Sequence, residues 1–197
     1  MTPGGETLND GYFEDVYNAS DDPWNFETSP YEHAKYARTL AALPRERYAR
    51  ALEVGCSIGV LTGLLAGRVD ALLSVDVNDR ALARARERNR PHANVTFARR
   101  RLPDETPGGL FDLVVVSEVG YYLSARDLER LLDTLTERLS PGGDLILVHW
   151  TPLVPDYPLT GDQVHEAALR RTPRPLTHRH GERHAQYRLD VLTRPGP

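Results

Sequence analysis

The feature that most constrains the fold is a glycine-spaced turn, Gly55 to Gly59, which directly follows the apolar run Ala51-Leu52-Glu53-Val54. An apolar run that meets a tight glycine turn is typical of a buried strand leading into a helix, because glycine tolerates the backbone angles of such a turn. The bare backbone at the start of the helix is a place where a nucleotide-like ligand can approach. The sequence therefore predicts a strand, a turn and a helix around residue 55.

An acidic residue ends the next apolar run. Leu72-Leu73-Ser74-Val75 leads to Asp76, which lies 21 residues after Gly55. A carboxylate at about this spacing is placed to accept hydrogen bonds from ribose hydroxyls. The turn and the acid together predict a ribose-bearing cofactor.

Short apolar runs and helical patterns alternate from Ala51 onward, which indicates a mostly parallel sheet with helices on both faces. Two later extended pieces, Leu176–His180 and Tyr187–Leu192, predict an antiparallel hairpin at the sheet edge. The expected fold class is thus α/β, with a seven-stranded, Rossmann-like sheet. The other predicted strands are Ala51–Val54, Leu72–Val77, Val95–Ala98, Phe111–Ser117 and Asp144–Trp150, and the predicted helices include Val60–Gly67, Asp79–Asn89, Arg126–Leu139 and Asp162–Arg171.

We expect a single domain over residues 1–197, because a chain of this size with 40% hydrophobic content suits one buried core. Residues 45–197 are predicted to form the Rossmann-like core, and residues 1–44 an aromatic-rich N-terminal cap segment. Within that segment, Ser29-Pro30 predicts the start of a helix that runs to about Leu43.

Charge and composition exclude several classes of protein. The net charge of −4 argues against a main partner that is nucleic acid. No stretch approaches the roughly 18 apolar residues of a membrane span, and the single cysteine, Cys56, excludes an internal disulfide. We expect a soluble, cytoplasmic protein without a nucleic-acid or membrane partner. No metal is expected, because no metal-ligand pattern lies on one helix among His165, His178, His180 and His184.

The details of the turn indicate which cofactor it suits. A dinucleotide fingerprint requires Gly-x-Gly-x-x-Gly, whereas Gly55, Ser57 and Gly59 alternate here, with Glu53 two residues ahead. This arrangement resembles the Glu/Asp-x-Gly-x-Gly-x-Gly motif of class I S-adenosylmethionine-dependent methyltransferases. Further segments resemble the nodulation N-methyltransferase (NodS) family, whose members methylate an amino group on a de-N-acetylated chitooligosaccharide. These segments are Asp22-Pro23-Trp24, Tyr36-Ala37-Arg38-Thr39-Leu40, Leu52 to Thr62, Ser117 to Leu123 and Val148-His149-Trp150.

The resemblance implies S-adenosyl-L-methionine as the cofactor. It implies that the glycine turn lies beside the methionine part, Asp76 at the ribose and Val77 against the adenine. Members of the family often carry an acid after the third strand for the adenine edge, where this chain has Arg99-Arg100-Arg101, so Arg100 is the candidate there. The full expected cofactor set is Glu53, Gly55, Cys56, Ser57, Gly59, Asp76, Val77, Arg100, Ser117 and Glu118.

The predicted reaction is methyl transfer by in-line displacement, which requires alignment and an available lone pair on the acceptor rather than a protein nucleophile. Ligands of parallel sheets bind beyond the carboxyl ends of the strands, where the fourth strand delivers Glu118 and Tyr121 and the fifth delivers His149. Glu118 is predicted to accept a proton or balance charge, His149 to act as a base, and Tyr121 to wall the methyl site. The expected acceptor contacts are Trp24, Tyr31, Tyr122, Trp150 and His165.

Each assignment has a structural alternative. Glu118 would cap the helix that follows it, His149 would be a satisfied histidine at a strand end, and Tyr121, Tyr122 and Trp24 would be packing residues. Several functions also stay open: a methyltransferase for an amino sugar or for another small amine or hydroxyl, and a non-catalytic S-adenosylmethionine-binding module. A nicotinamide-dependent oxidoreductase is disfavoured, because the chain lacks both the dinucleotide fingerprint and a Tyr-x-x-x-Lys pair.

Overall fold

The computed structural model describes residues 5–196 of the chain. Its helices are α1 (Asp10–Ala19), α2 (Pro30–Ala41), α3 (Val60–Ala66), α4 (Asp79–Arg88), α5 (Ala125–Arg138) and α6 (Gly161–Leu169), and a 3₁₀ turn spans Gly120–Tyr122. Its strands are β1 (Tyr48–Val54), β2 (Val69–Asp76), β3 (Val95–Arg99), β4 (Phe111–Ser117), β5 (Leu139–Trp150), β6 (Thr177–Arg183) and β7 (Tyr187–Thr193).

The strands form a mixed sheet of order β3-β2-β1-β4-β5-β7-β6. Strand β7 runs antiparallel to both β5 and β6, whereas β1 with β2, β2 with β3, and β4 with β5 pair in parallel. The predicted α/β class, with a mostly parallel seven-stranded sheet and a C-terminal antiparallel hairpin, is confirmed.

The chain divides into two compact units. The N-terminal unit, residues 9–101, contains α1 to α4 and β1 to β3. The C-terminal unit, residues 102–196 together with residues 5–8, contains the remaining elements. The expectation of a single domain with a cap at residues 1–44 stays a prediction, and residues 1–4 and 197 of that range lie outside the described residues.

In the N-terminal unit, β1 and β2 pair in parallel and are largely buried, as expected of central strands that carry near-continuous apolar runs. Strand β2 begins at Val69, three residues before the predicted start. Helix α4 is capped by Asn78, whose side chain accepts a hydrogen bond from the Ala81 N–H at 3.0 Å. This cap fixes the chain direction immediately after Asp76.

Helix α1 has no counterpart among the elements predicted from the sequence. Tyr17 is its one buried residue, and it packs with Ile58 and Ala81 in a small apolar cluster that Phe13, Trp24, Phe26 and Val60 border. Arginines of α4 add ion pairs to the segment that follows α1, with Arg80 to Asp21 at 2.8 Å and Arg84 to Glu27 at 3.0 Å. Such exposed pairs are individually weak, so the apolar cluster is the main attachment of α1.

In the C-terminal unit, β4 has the predicted bounds, and α5 is capped by Ser124, whose side chain accepts a hydrogen bond from the Asp127 N–H. Strand β5 is longer than the predicted Asp144–Trp150, because it begins at Leu139 and includes Pro141-Gly142-Gly143, residues that are common in turns. Strand β6 extends to Arg183, three residues beyond the predicted end at His180. No helix in the described part of the chain is both long and apolar enough to cross a bilayer.

Candidate functional sites

The turn after β1 holds three alternating residues in the left-handed region of backbone space. The φ angles are 75° at Gly55, 49° at Ser57 and 77° at Gly59. Only glycine adopts such angles without strain, so the spacing of small residues follows from the shape of the turn. A Cβ on Gly59 would also lie 2.6 Å from Asn89 Nδ2 and 3.0 Å from Ala85 Cα. The turn therefore presents backbone with little side chain over it.

Ser57 is the one member of this trio that carries a side chain. Its hydroxyl lies 2.5 Å from the Tyr17 hydroxyl of α1. Burial raises the pKa of Tyr17 above its ordinary value, so the phenol stays protonated and can donate. The hydrogen bond offsets part of the cost of a left-handed non-glycine residue, about 1–2 kcal/mol. Tyr17, which no local sequence pattern distinguishes from its aromatic neighbours, thus contacts the turn at Ser57.

Asp76 ends β2 beside the same turn. Its Oδ2 accepts the Ser57 N–H at 2.8 Å, and its Oδ1 accepts the Asn78 N–H at 3.0 Å. Burial raises the pKa of the Asp76 carboxyl, and hydrogen bonds from the backbone N–H groups of Asn78, Ser57 and Val77 counteract that rise. Both carboxylate oxygens are held in a fixed orientation next to the left-handed residues.

Glu53 supports the turn from behind, because it is 2% exposed. Its Oε2 accepts hydrogen bonds from the hydroxyls of Thr62 and Ser74, both at 2.6 Å. Removal from water raises the pKa of Glu53 to about 7 despite these two bonds. Cys56 is also buried, and its N–H donates to Val75 O at 3.0 Å. In these positions Glu53 and Cys56 shape the turn.

A cavity of about 160 Å³ is lined by Val77 and Asn78, the two residues that follow Asp76. Arg100, which the sequence suggests for the adenine edge, does not line this cavity, whereas Arg99 does. The Arg99 Nε donates to Val77 O at 3.0 Å, and its Nη2 lies 2.9 Å from Asp10 Oδ2. The side chains of successive residues in an extended chain point to opposite sides. Arg99 therefore lines the cavity, and Arg100 does not. The wall includes Asp10, Glu14, Tyr17, Val77, Asn78 and Arg99.

Glu118 directly follows β4 and has a left-handed φ of 57°. Its Oε2 accepts the Tyr121 hydroxyl at 2.6 Å and the Trp150 N–H at 2.9 Å. The 3₁₀ turn that follows has no side-chain cap, so the capping alternative for Glu118 is not the arrangement observed. A non-glycine residue in this conformation costs about 1–3 kcal/mol, and such strain is concentrated at functional positions.

Tyr121 and Tyr122 form a compact aromatic cluster with Tyr157 from the loop between β5 and α6. Tyr121 stacks on Tyr157 with ring centroids 5.0 Å apart, and Tyr122 meets each of the other two rings edge-on at 4.8 Å. Burial, reinforced by the nearby Glu118, raises the pKa of Tyr121, so its phenol remains a hydrogen-bond donor. The predicted site does not include Tyr157, and its position in the loop between β5 and α6 is the only sequence feature that indicates a functional role.

Two predicted site residues are fully buried. His149 Nε2 accepts the Gly120 N–H at 3.1 Å, and His149 Nδ1 lies 3.1 Å from His165 Nε2. His165 Nδ1 lies in turn 2.6 Å from Asp190 Oδ2. Both side chains are 0% exposed, and the Gly120 amide donates to the His149 Nε2 lone pair, an arrangement that favours the alternative of a satisfied histidine at a strand end. The base role of His149 and the acceptor contact of His165 stay predictions.

The remaining predicted residues are placed as follows. Trp24 stacks on Phe26 at 5.5 Å, which agrees with a packing role. The Tyr31 ring lies 5.2 Å from Lys35 Nζ, and Ser117 ends β4. Acceptor contacts for Trp24, Tyr31, Tyr122 and Trp150, and the cofactor contact of Ser117, stay predictions. Within residues 5–196, no three or more His, Cys, Asp or Glu side chains are grouped so that they could hold a metal ion.

Comparison of the sequence with models of protein families finds a family that matches more than half of the chain. The family described as Nodulation protein S (NodS) matches residues 14–149. Nodulation protein S of Rhizobium tropici is 35% identical over 130 residues, which are 65% of this chain and 55% of that protein. Nodulation protein S of Bradyrhizobium diazoefficiens is 35% identical over 130 residues, which are 65% of this chain and 62% of that protein. The match therefore spans less than two thirds of these curated relatives.

Comparison with solved structures agrees with the sequence match. The crystal structure of N-methyltransferase NodS from Bradyrhizobium japonicum WM9, in complex with S-adenosyl-L-homocysteine, superposes with a TM-score of 0.84 and 26% identity. The superposition covers 94% of this chain and 97% of that one. The two chains thus share one fold along nearly their whole length.

Replacing Gly59 by alanine tests the left-handed turn. Gly59→Ala should lower the free energy of unfolding by about 2 kcal/mol or more, because it combines backbone strain with a clash at Ala85. The matched control is Gly67→Ala, where φ is −72° and the nearest atom to a Cβ is Leu64 O at 3.8 Å. The control should change stability by less than about 1 kcal/mol. Equal urea midpoints for both variants would contradict the account of the turn.

Replacing Glu53 by glutamine tests its raised pKa. A folded-state pKa of about 7 against an ordinary value of 4.5 means that the stabilisation from proton binding is present below pH 4.5 and is lost as the pH rises through 7. The unfolding free energy of Glu53→Gln relative to the parent should therefore rise by about 2–3 kcal/mol between pH 5 and pH 8. Urea unfolding across this range measures the difference. Glu87→Gln is the control, because it removes one exposed carboxyl from the same protein. If the difference in unfolding free energy between Glu53→Gln and the parent did not change with pH, the prediction would be refuted.

Proposed function

The chain belongs to the NodS family, and from that premise we propose that it is an S-adenosyl-L-methionine-dependent N-methyltransferase acting on an amino sugar or a de-N-acetylated oligosaccharide. The observation that carries the proposal is the turn after β1, where three left-handed residues lie beside an acid oriented by backbone amides. The NodS protein from Bradyrhizobium japonicum was crystallised with S-adenosyl-L-homocysteine, which is the product left by this cofactor.

The residues of the N-terminal unit fit the proposed cofactor. The bare backbone at Gly55, Ser57 and Gly59 would hold its methionine part. Backbone N–H groups orient both Asp76 oxygens, and a carboxylate oxygen can accept more than one bond, so Asp76 suits the ribose hydroxyls. Val77 lines the cavity of about 160 Å³, and we assign the adenine to this cavity. When bound, the cofactor supplies a methyl group already activated on a positively charged sulfur.

The chemistry of the acceptor is assigned to the C-terminal unit. In methyl transfer, the acceptor nitrogen uses its lone pair to bond the methyl carbon, the carbon–sulfur bond breaks, and that electron pair stays on sulfur. An ammonium acceptor must first release one proton. We assign the acceptance of that proton, or the balancing of the cationic charge, to Glu118, whose carboxylate is held by the Tyr121 hydroxyl and the Trp150 amide.

The nature of the acceptor rests on the family and on the composition around Glu118. A carboxylate bordered by tyrosines suits a cationic, hydroxyl-rich amine, because the charge attracts the ammonium and aromatic faces pack against a sugar ring. Another small amine or a hydroxyl compound is the alternative acceptor. A non-catalytic cofactor-binding module is the alternative from a different class, and an acceptor-dependent turnover separates it from the enzyme.

Calorimetry and turnover test the function. The protein should bind S-adenosyl-L-homocysteine and S-adenosyl-L-methionine but not NAD, because the turn lacks the dinucleotide spacing. With a de-N-acetylated chitooligosaccharide, mass spectrometry should show a product heavier by one methyl group, and the fully N-acetylated oligosaccharide is the matched control. Binding without turnover on any amine would refute the enzyme, and absence of binding would refute the cofactor.

Asp76→Ala tests the cofactor site. Loss of a charged hydrogen-bond acceptor should weaken the binding of S-adenosyl-L-homocysteine by about 10- to 100-fold. Asp70→Ala is the matched control, because Asp70 lies at the opposite end of β2 and pairs at the surface with Arg47. Titration calorimetry at one salt concentration measures both affinities. Equal affinities in the two variants would show that Asp76 does not contact the cofactor.

A further inference from the structure

Three consecutive residues at the end of β5 hold the segment that follows β4. Val148 O accepts the Glu118 N–H at 2.9 Å, and the Trp150 N–H donates to the Glu118 carboxylate at 2.9 Å. Between them, the His149 side chain accepts the Gly120 N–H at 3.1 Å. The first and third contacts use backbone groups of β5 and do not depend on its side chains. The middle contact depends on the protonation and tautomer of the His149 imidazole ring.

The hydrogen-bond directions determine that state. The Gly120 N–H can only donate, so His149 Nε2 must carry a lone pair, and the proton of the neutral ring lies on Nδ1. This proton is donated to His165 Nε2 at 3.1 Å, which places the proton of His165 on its own Nδ1. His165 Nδ1 then donates to Asp190 Oδ2 at 2.6 Å. One chain of donors and acceptors therefore runs from the carboxylate to the Gly120 amide.

Asp190 anchors this chain as an ionised acceptor. It is 1% exposed, and burial alone would raise its pKa, but hydrogen bonds from His165 and His178 and the charge of Arg188 lower it instead. Arg188 Nε lies 2.8 Å from Asp190 Oδ2, and His178 Nε2 lies 2.7 Å from Oδ1. Burial lowers the pKa of His165, so the ring stays neutral, as the chain requires. The carboxylate thus accepts, and does not donate, at its end of the chain.

Two glycines let α6 lie close enough to carry His165 onto His149. A Cβ on Gly161, the first residue of α6, would lie 2.1 Å from Trp150 O and 3.1 Å from His149 Cβ. A Cβ on Gly120 would lie 2.5 Å from Val164 Cγ1 and 3.1 Å from His149 Nε2. Apolar residues of similar volume would generally stabilise such a core as well as a buried polar chain does. Stability alone therefore does not explain why two buried histidines, His149 and His165, lie at this contact.

We propose that His165 and Asp190 are positioning residues: by fixing the tautomer of His149 they hold the Gly120 amide, and so set the Glu118 and Tyr121 side chains for methyl transfer. The relay consists of Asp190, His165 and His149. The proposal rests on the proposed function, because it takes Glu118 as the group that meets the acceptor. It extends that function by giving the two buried histidines a role that does not require contact with any ligand.

Paired substitutions at His149 test the link to the amide. Glutamine can place a carbonyl oxygen near the position of Nε2 and keep an acceptor for the Gly120 N–H, whereas leucine removes the acceptor. His149→Leu should lower kcat by about 10- to 100-fold, because small displacements of reacting groups are costly. His149→Gln should recover at least part of that loss. In His149→Leu the loss of kcat should exceed any loss of affinity for S-adenosyl-L-homocysteine, since no relay residue belongs to the cofactor turn.

Paired substitutions at Asp190 test the far end of the relay. In Asp190→Asn, the amide oxygen can accept from His165 and Arg188 while the amide nitrogen donates to His178, so the tautomers are kept and kcat should stay near that of the parent. In Asp190→Leu the anchor is lost, and kcat should fall as in His149→Leu. A fall in the leucine variant without a fall in the asparagine variant separates positioning from general destabilisation, and urea unfolding of each variant confirms that it is folded.

Nitrogen NMR of histidine-labelled protein reads the tautomers without any activity. The expected result is that His149 and His165 each carry a proton on Nδ1 and none on Nε2, and that amide exchange at Gly120 is faster in His149→Leu than in the parent. A proton on Nε2 of His149, or equal kcat in the leucine and glutamine variants, would overturn the proposal. If no amine is methylated while the tautomers and exchange rates are as expected, the proposed function fails and the relay as a support for the Gly120 amide stands.

Discussion

The structure depends on a turn in which three alternating residues, Gly55, Ser57 and Gly59, adopt left-handed backbone angles. This conformation requires small residues, which explains the motif, and it turns the Ser57 N–H toward Asp76. Glu53 supports the same turn from the buried side. The serine in the middle position adds a side chain that bonds Tyr17 of α1. The backbone angles of the turn thus explain the motif, and the Ser57 side chain explains the contact between α1 and the turn.

A second constraint operates where β4 ends. Glu118 is held in a strained left-handed conformation, and Val148 and Trp150 of β5 supply the bonds that hold it there. Strain at one residue persists only where the surrounding contacts are sufficient to impose it. The buried relay behind His149 adds a side-chain contact to the backbone ones. The same residues thus connect the packing of α6 to the geometry of a predicted catalytic group.

The parts of the fold that the sequence predicts well are those with strong local periodicity. Strand β4 has the predicted bounds, and α5 lies within one residue of its prediction, because a continuous apolar run and a leucine repeat are unambiguous. Helix α1 has no counterpart in the predicted elements, because a segment of ten residues is too short to be stable by itself and is instead stabilised by the packing of Tyr17 on Ile58 and Ala81. The start of β5 was misplaced because Pro141-Gly142-Gly143 has the composition of a turn, although it continues the strand.

The sequence by itself determined the family, the α/β class and the location of the glycine turn with its acid, because motif spacing and periodicity are local properties of the chain. Tertiary structure decided what surrounds the individual side chains. It buried His149 and His165, which the sequence suggests as ligand-facing groups, and it exchanged Arg100 for Arg99 at the cavity. The physical reason is that burial and hydrogen-bond partners depend on residues distant in sequence, as the contact between His165 and Asp190 shows.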